Sequence, residues 1–408
     1  MEILFHRYGS ICEPDIIEAF QSLGITVDEE DSEIYQKNIA GDTRIKILTE
    51  RILTTKPAFV FSINYFPYIS EICQKLNVLY VCLSVDCPVL EFFSDSIHNS
   101  CNRIFLFDYN QYLQFKDENP ECIFYLPLGT NVDRWDAVLH DERVLSDRNV
   151  NNAGEDRWLY DISLVGSLYT EKSPYDNLQM GEFDRGFTDG LIEAQLKLSG
   201  LDLINEVLNE KTVQAIKNAE AQSKGDLWKK YTLSDAFTDT DRYVAENYYL
   251  GMRVSELERI RLLNMLAENF KVDLFTRSDA SLLKGVNVHG GVSTHKEMPQ
   301  VFYKSKINLN ITIRSIQTGL SQRVWDVLGC GGFLLTNYQM EIPEYMEIGK
   351  DLDCYENAAE LKEKAAYYLE HEEERMEIAR HGYETVKNKH TCRHRVAEML
   401  KIVLTMHS

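Results

Sequence analysis

"RSIQTGLSQRVWDVLGCGG", residues 314–332, lies between two dense apolar runs, Ile307–Ile313 and Phe333–Thr336. A strand, a polar loop, a short helix and a glycine-rich exit into another strand form the crossover unit of a parallel sheet. Leu320, Val324, Val327 and Leu328 recur at i, i+4, i+7 and i+8, which predicts one buried face of a helix near residues 320–328. That helix is expected to begin directly after Thr318-Gly319. Packing accounts for the four apolar residues. It does not account for Arg314, Ser315, Gln317, Thr318, Arg323 and Asp326, gathered around one strand-to-helix turn.

The same alternation extends outward. "EILFHRY" reads as a strand, "GSICEPD" as a turn, and "DIIEAFQSLG" as a helix with Pro14 near its start and Gly24 after its end. "ITV", "AFVFSIN", "VLYVCLS", "RIFLFD" and "CIFYLPL" are further strands, with helical stretches such as 44–54 between several of them. Such dense β runs, alternating with helices, predict parallel sheets covered on both faces. A charged stretch, 136–156, reads as a linker. "YDISLVGS" then opens a second unit, residues 175–270 read as almost wholly helical, and the alternation resumes with "VDLFTR", "VNVHG", "KINLNIT" and "GFLLTN". The expected class is α/β. Two Rossmann-like, doubly wound domains, 1–150 and 156–390, face each other across a cleft, and the second carries a helical insertion at about 175–270.

Composition narrows the function. A chain of 408 residues is too long for one ordinary core. Forty-three basic against 64 acidic residues give a formal charge of −21, which argues against a general nucleic-acid or anionic-membrane surface. An anionic ligand needs only a few arginines gathered locally. The nine cysteines, with no C-x-x-C spacing and mostly in apolar runs, read as reduced core residues. "MEILFHRYGS" lacks a basic region followed by a long apolar stretch, and no window approaches the ~20 apolar residues of a membrane span. A soluble, cytoplasmic protein is expected.

In doubly wound sheets, ligands bind beyond the carboxyl ends of the strands. In the second unit those positions are Gly166-Ser167, Thr276-Arg277-Ser278, Gly291-Val292 and the loop from Arg314 through Ser315, Gln317 and Thr318 to Gly319. Glycines admit a ligand close to the backbone, and a helix N-terminus offers N–H groups to phosphate. Arg323 adds a charge-assisted contact to a diphosphate, and Asp326 suits two ribose hydroxyls. The set asks for a nucleoside diphosphate. The plain alternative is that Arg323 and Asp326 form an i, i+3 surface ion pair and that the glycines merely end a helix. In the first unit Asn64 and Asp86 follow strands and His6 ends one. Asp86 serves as a general base, as a ligand to sugar hydroxyls, or as a helix cap. A lone histidine is more often structural. The "GSICEPD" turn offers backbone N–H groups but lacks G-x-G-x-x-G, which argues against an NAD site.

"KINLNITIRSIQTGLSQRVWDVLGCGGFLLTNYQMEIPEYMEIGKDLDCYEN", together with "DISLVGSLYTEKSPYD", "HGYETVKNKHTCRHRVAEML", "SVDCP" and "YLPLGTNVD", resembles the CgeB-type (spore-maturation-like) glycosyltransferases. These are similar to group 1 transferases of GT-B architecture. The resemblance implies a nucleotide-sugar donor in the C-terminal domain, an acceptor approached from the N-terminal one, and a last helix (residues 391–408) crossing back onto the first domain. It places the diphosphate and ribose on Arg314–Gly319, Arg323 and Asp326, and the base and phosphates near Gly291, Val292, Thr276 and Arg277. Group 1 transferases commonly carry two glutamates eight positions apart before a "CG" turn. Aligned on Cys330-Gly331, this chain has Thr318 and Asp326 there, so retention of configuration is not implied. The expectation is a metal-independent hexosyltransferase with no cofactor. It moves a hexose or N-acetylhexosamine from a nucleoside diphosphate sugar, a UDP-sugar in the first instance, to a hydroxyl on a protein, glycan or small molecule. No nucleic-acid partner is expected, and a homo-oligomer is compatible. A GT-B epimerase and a non-catalytic nucleotide-sugar-binding scaffold are the rivals.

Overall fold

The structure, a computed structural model, describes residues 1–36, 39–140, 157–198, 200–223, 227–230 and 237–405. It divides into two compact units. Met1–Thr130, Tyr231–Thr240 and His390–Ser408 form the first, Asn131–Lys230 and Asp241–Lys389 the second. Residues 141–156, most of the expected linker, lie outside the described residues. Its expected first residue, Asp136, is instead within helix Val132–Val138, where it accepts from Tyr383 Oη at 2.7 Å.

The first unit is built on strands β1 (Glu2–His6), β2 (Thr26–Glu30), β3 (Phe59–Ile63), β4 (Leu79–Leu83), β5 (Asn102–Leu106) and β6 (Ile123–Tyr125), in the order β2-β1-β3-β4-β5-β6. Every pairing is parallel. All five residues of β3 and of β5 are buried, as a sheet covered on both faces requires. Helix Glu13–Ser22 contributes Ile16, Ile17 and Phe20 to the core, and helix Cys392–Thr405, from the far end of the chain, contributes Val396, Met399 and Val403. Thr130 and Thr391 form a parallel bridge at the foot of that helix.

The second unit holds β7 (Tyr160–Val165), β8 (Val272–Phe275), β9 (Asn287–His289), β10 (Ser305–Asn310), β11 (Leu334–Asn337) and β12 (Asp353–Tyr355), in the order β12-β11-β10-β7-β8-β9 and again all parallel. Among the described residues, six helices and a π-helical turn, from Glu182–Gln195 to Met252–Ala267, lie between β7 and β8. The expected insertion is therefore present. All nine cysteines are free thiols, and all except Cys12 and Cys87 are buried. Among the described residues no helix is long and apolar enough to cross a membrane.

Candidate functional site

In the second unit the strand order brings the carboxyl ends of β10, β7, β8 and β9 side by side, and with them most of the expected ligand residues. Gly166-Ser167 follows β7, and Thr276-Arg277-Ser278 follows β8. Ser278 Oγ donates to Ser167 Oγ at 3.3 Å and accepts from Leu168 N at 2.8 Å, while Ser278 N donates to Thr276 Oγ1 at 3.1 Å. A Cβ at Gly291, beyond β9, would lie 2.5 Å from Arg277 Cγ, so a side chain there would have to turn Arg277 aside. The exposed Arg277 is thus laid across Gly291, beside the half-buried Val292.

The loop after β10 takes a different path from the one expected. The helix starts at Gln322, not after Gly319, and runs Gln322–Gly329. Gln339 Nε2 donates to the carbonyls of Ile316 (3.1 Å) and Gly319 (3.2 Å), which holds the approach out of helical geometry. Leu320 is buried as predicted, but ahead of the helix. Thr318 Oγ1 donates to Glu341 Oε1 at 2.7 Å, so a carboxylate does lie against position 318, supplied by the turn after β11. Gly319 and Ser315 are buried.

Asp326 and Arg323 do form an ion pair, 2.8 Å from Nη1 to Oδ2, but it is not a surface pair, because the Asp326 side chain is 4% exposed. Gln322 Nε2 donates to the other oxygen at 2.9 Å. Both carboxylate oxygens therefore have protein partners, and Asp326 acts first as the anchor that sets the Arg323 guanidinium at the helix start. Arg314 points toward the helical insertion, 3.5 Å from Glu258 Oε1 and donating to the Leu198 carbonyl at 3.3 Å. Burial holds Glu258 above the usual carboxylate range, against the pull of Arg314 and Arg259.

In the first unit Asn64, at φ 59° after β3, donates to Asp86 Oδ2 at 2.6 Å and to Tyr8 Oη at 2.9 Å, and accepts from Val85 N at 2.9 Å. Tyr8, Asn64 and the exposed Asp86 thus cluster beyond β1, β3 and β4, which are neighbours in the sheet. His6 differs. It is fully buried, its Nδ1 lies 2.7 Å from Glu30 Oε2, and its Nε2 lies 3.0 Å from Tyr68 Oη and 3.4 Å from Glu33 Oε1. Burial alone would depress its pKa, yet the hydrogen bonds with Glu30 and Glu33 outweigh it and raise the value. The ring is tied up in structural contacts with Glu30, Tyr68 and Glu33. The "GSICEPD" turn is closed as well, since Glu13 Oε1 accepts from the N–H groups of Tyr8, Gly9 and Ser10 at 2.9–3.0 Å.

Residues 259–401 match the family model described as Glycosyl transferase-like. The match contains β8 through β12, helix Gln322–Gly329 and most of helix Cys392–Thr405. An uncharacterised protein of Aquifex aeolicus is 25% identical over 107 residues, 26% of this chain and 27% of that relative. Three solved structures span nearly the whole chain. A glycosyltransferase of Rickettsia africae has TM-score 0.52 at 14% identity, covering 98% of this chain and 97% of its own. A sucrose-phosphate synthase of Thermosynechococcus elongatus has TM-score 0.52 at 8% identity, covering 100% and 99%. Anabaena HepE in complex with UDP and glucose has TM-score 0.50 at 10% identity, covering 98% and 99%. At such identities the likeness is one of fold, the two-domain α/β architecture of GT-B glycosyltransferases.

Two participants escape sequence reading. Arg259, in the glycosyl transferase-like segment, looks like a solvated charge of the helix "VSELERIRLL", yet it is buried and donates to the carbonyls of Ser167 and Ile311. It ties the end of β7 to the end of β10, with Tyr169 stacked 4.6 Å from its Cζ. The second is a carboxyl pair. Gln317 Nε2 donates to Asp202 Oδ2 at 2.8 Å, and Asp202 faces Glu246 on the π-helical turn Ala245–Gly251. Burial first, and then the Asp202 charge, push Glu246 from 4.5 up to about 8. The folded chain holds a proton that the unfolded chain releases, so this contribution to stability is full below pH 4.5 and lost as pH rises to about 8. Glu246→Gln is expected to raise Tm at the alkaline end of that window and to leave it nearly unchanged at the acid end. Parallel pH profiles for the two proteins in thermal melts would overturn this.

Proposed function

We propose that the chain is a CgeB-type glycosyltransferase that moves a hexose or N-acetylhexosamine from a UDP-sugar to a hydroxyl acceptor, without a metal ion. The observation that carries this reading is Arg323, held by buried Asp326 in the first turn of helix Gln322–Gly329, on the carboxyl edge of a parallel sheet and within the glycosyl transferase-like segment. A helix N-terminus carries about half a positive charge, and with a fixed guanidinium it neutralises a departing diphosphate as an ion would. Arg277, over Gly291, supplies further donors for the nucleotide. UDP bound to Anabaena HepE, a protein of the same fold, supports uracil as the base. Asp86, one oxygen held by Asn64, takes the acceptor proton or holds a sugar hydroxyl.

The test uses the full chain with EDTA and a panel of nucleotide sugars, following released nucleoside diphosphate and the fate of the sugar. One UDP-sugar is expected to be hydrolysed slowly without acceptor. Asp86→Asn is expected to lower turnover by about 100-fold while leaving donor affinity within a small factor. Isomerised sugar would replace this reading with an epimerase, and failure of every donor to bind would end it.

A further inference from the structure

At the opposite, amino-terminal edge of the second sheet lies a cavity of about 330 Å³ that no part of the transfer reaction uses. Its wall is made by Arg157 and Trp158, just before β7, by Tyr303 at the end of helix Met298–Lys304, by Phe333 before β11, and by Arg375 and Arg380 of helix Glu372–Lys389. The strands separate it from the donor residues by their own length, about 15–20 Å.

Arg375 is the unusual member. It is 1% exposed, its Nη1 donates to the Tyr368 carbonyl, and its Nε and Nη2 have no hydrogen-bond partner among the described residues. The nearest carboxylate, Glu372, stands 3.8 Å from Nη2 and accepts instead from Trp158 Nε1 at 3.0 Å. Arg157 adds a second guanidinium, its Cζ 4.3 Å from the Trp158 ring and 3.9 Å from that of Tyr303, while Arg375 Cζ lies 5.1 Å from the other partner it shares, Trp158. Two cations are thus clamped to one indole. Burial, and then proximity to Arg157, push the Arg375 pKa down, offset in part by Glu372 and Asp161. A buried guanidinium with open N–H groups costs free energy, and an apolar side chain of similar volume would fill the space better. What restores the balance is an acceptor in the cavity. Among the described residues of the wall the one acidic side chain is Glu377, which lies 3.9 Å from His381.

We propose that this cavity binds a small oxyanionic metabolite, a phosphate ester or a polycarboxylate, whose oxygens accept from the open N–H groups of Arg375 and from Arg157, with Arg380 at the mouth. Planar guanidinium groups match both oxyanions, and a cavity of this size admits a ligand of roughly sugar-phosphate dimensions. The site stands on its own residues and does not depend on the donor reading.

Titration calorimetry of the full chain with inorganic phosphate, glucose 1-phosphate and citrate tests it. At least one probe is expected to bind with Kd of about 1 mM or tighter, weakened about tenfold or more in Arg157→Ala and in Arg380→Ala. The stronger probe distinguishes ester from carboxylate. Arg375→Met is expected to abolish binding yet to melt no lower than the wild type without ligand, which separates lost binding from lost folding. UDP affinity is expected to be unchanged in all three variants. No heat from any probe, or equal affinities in wild type and variants, would overturn the proposal.

Discussion

Arg323→Ala is expected to lower kcat/KM for the sugar donor by about 100-fold or more, the scale on which a preorganised transition-state donor is lost. In the proposed reaction the guanidinium faces the charge that develops on the leaving diphosphate, and among the described residues no other cation is pinned to the same helix start by a buried carboxylate. The substitution also removes the ion-pair partner of Asp326, 3% exposed, while Gln322 still donates to it, at a cost of about 1–3 kcal/mol in stability. Folding and catalysis are separable by titrating UDP and by single-turnover rates normalised to folded protein. Asp326→Asn keeps the cation but loosens its anchor, so a smaller loss, about tenfold, is expected there. If Arg323→Ala melts earlier but turns over at the wild-type rate per folded molecule, the helix start is not the diphosphate site.

Gly382→Ala is expected to destabilise the second unit by about 2 kcal/mol or more, and to lower Tm by roughly 5 °C, even though alanine is the better helix former by about 1 kcal/mol. A Cβ at position 382 would stand 2.2 Å from the Asp351 carbonyl oxygen and 2.8 Å from Leu328 Cδ2. The carbonyl has little room to retreat. Asp351 Oδ2 accepts from Glu347 N at 2.8 Å, and Oδ1 accepts from Thr385 Oγ1 at 2.9 Å. Leu328 belongs to the helix that carries Arg323, so the displacement is expected to reach catalysis as well as stability. Gly186→Ala is the matched control. It lies inside helix Glu182–Gln195 with nothing among the described residues within 4 Å of a new Cβ, and is expected to leave Tm unchanged or raise it. Equal melting of Gly382→Ala and wild type would refute the close approach.

Local pattern was enough to read the two parallel sheets, the helical insertion and the buried face of the helix after β10, because dense apolar runs and helical periodicity are properties of neighbouring residues. It was not enough where a distant partner decides. Gln339 fixes the helix start at Gln322 from beyond β11. Glu13 takes the N–H groups of Tyr8, Gly9 and Ser10 that looked available for a ligand. Arg314 and Arg259 are both arginines on polar-looking stretches, and only tertiary contacts turn one toward Glu258 and the other under Tyr169. Most strand-end residues were legible as positions, but not the division between residues that offer groups to a ligand and residues that hold those groups in place.

Helix Cys392–Thr405 completes the core that helix Glu13–Ser22 begins, and this sets an order of events on the ribosome. The first unit takes its strands from Met1–Thr130 but receives Val396, Met399 and Val403 only when the end of the chain emerges. At ordinary translation speeds the apolar face of Ile16, Ile17 and Phe20 waits roughly tens of seconds for its cover, while the later-made second unit already has all of its strands. A nascent chain stalled after Lys389 would carry a second unit with all of its strands and a first unit with an uncovered apolar face, an exposed surface of the kind that chaperones hold.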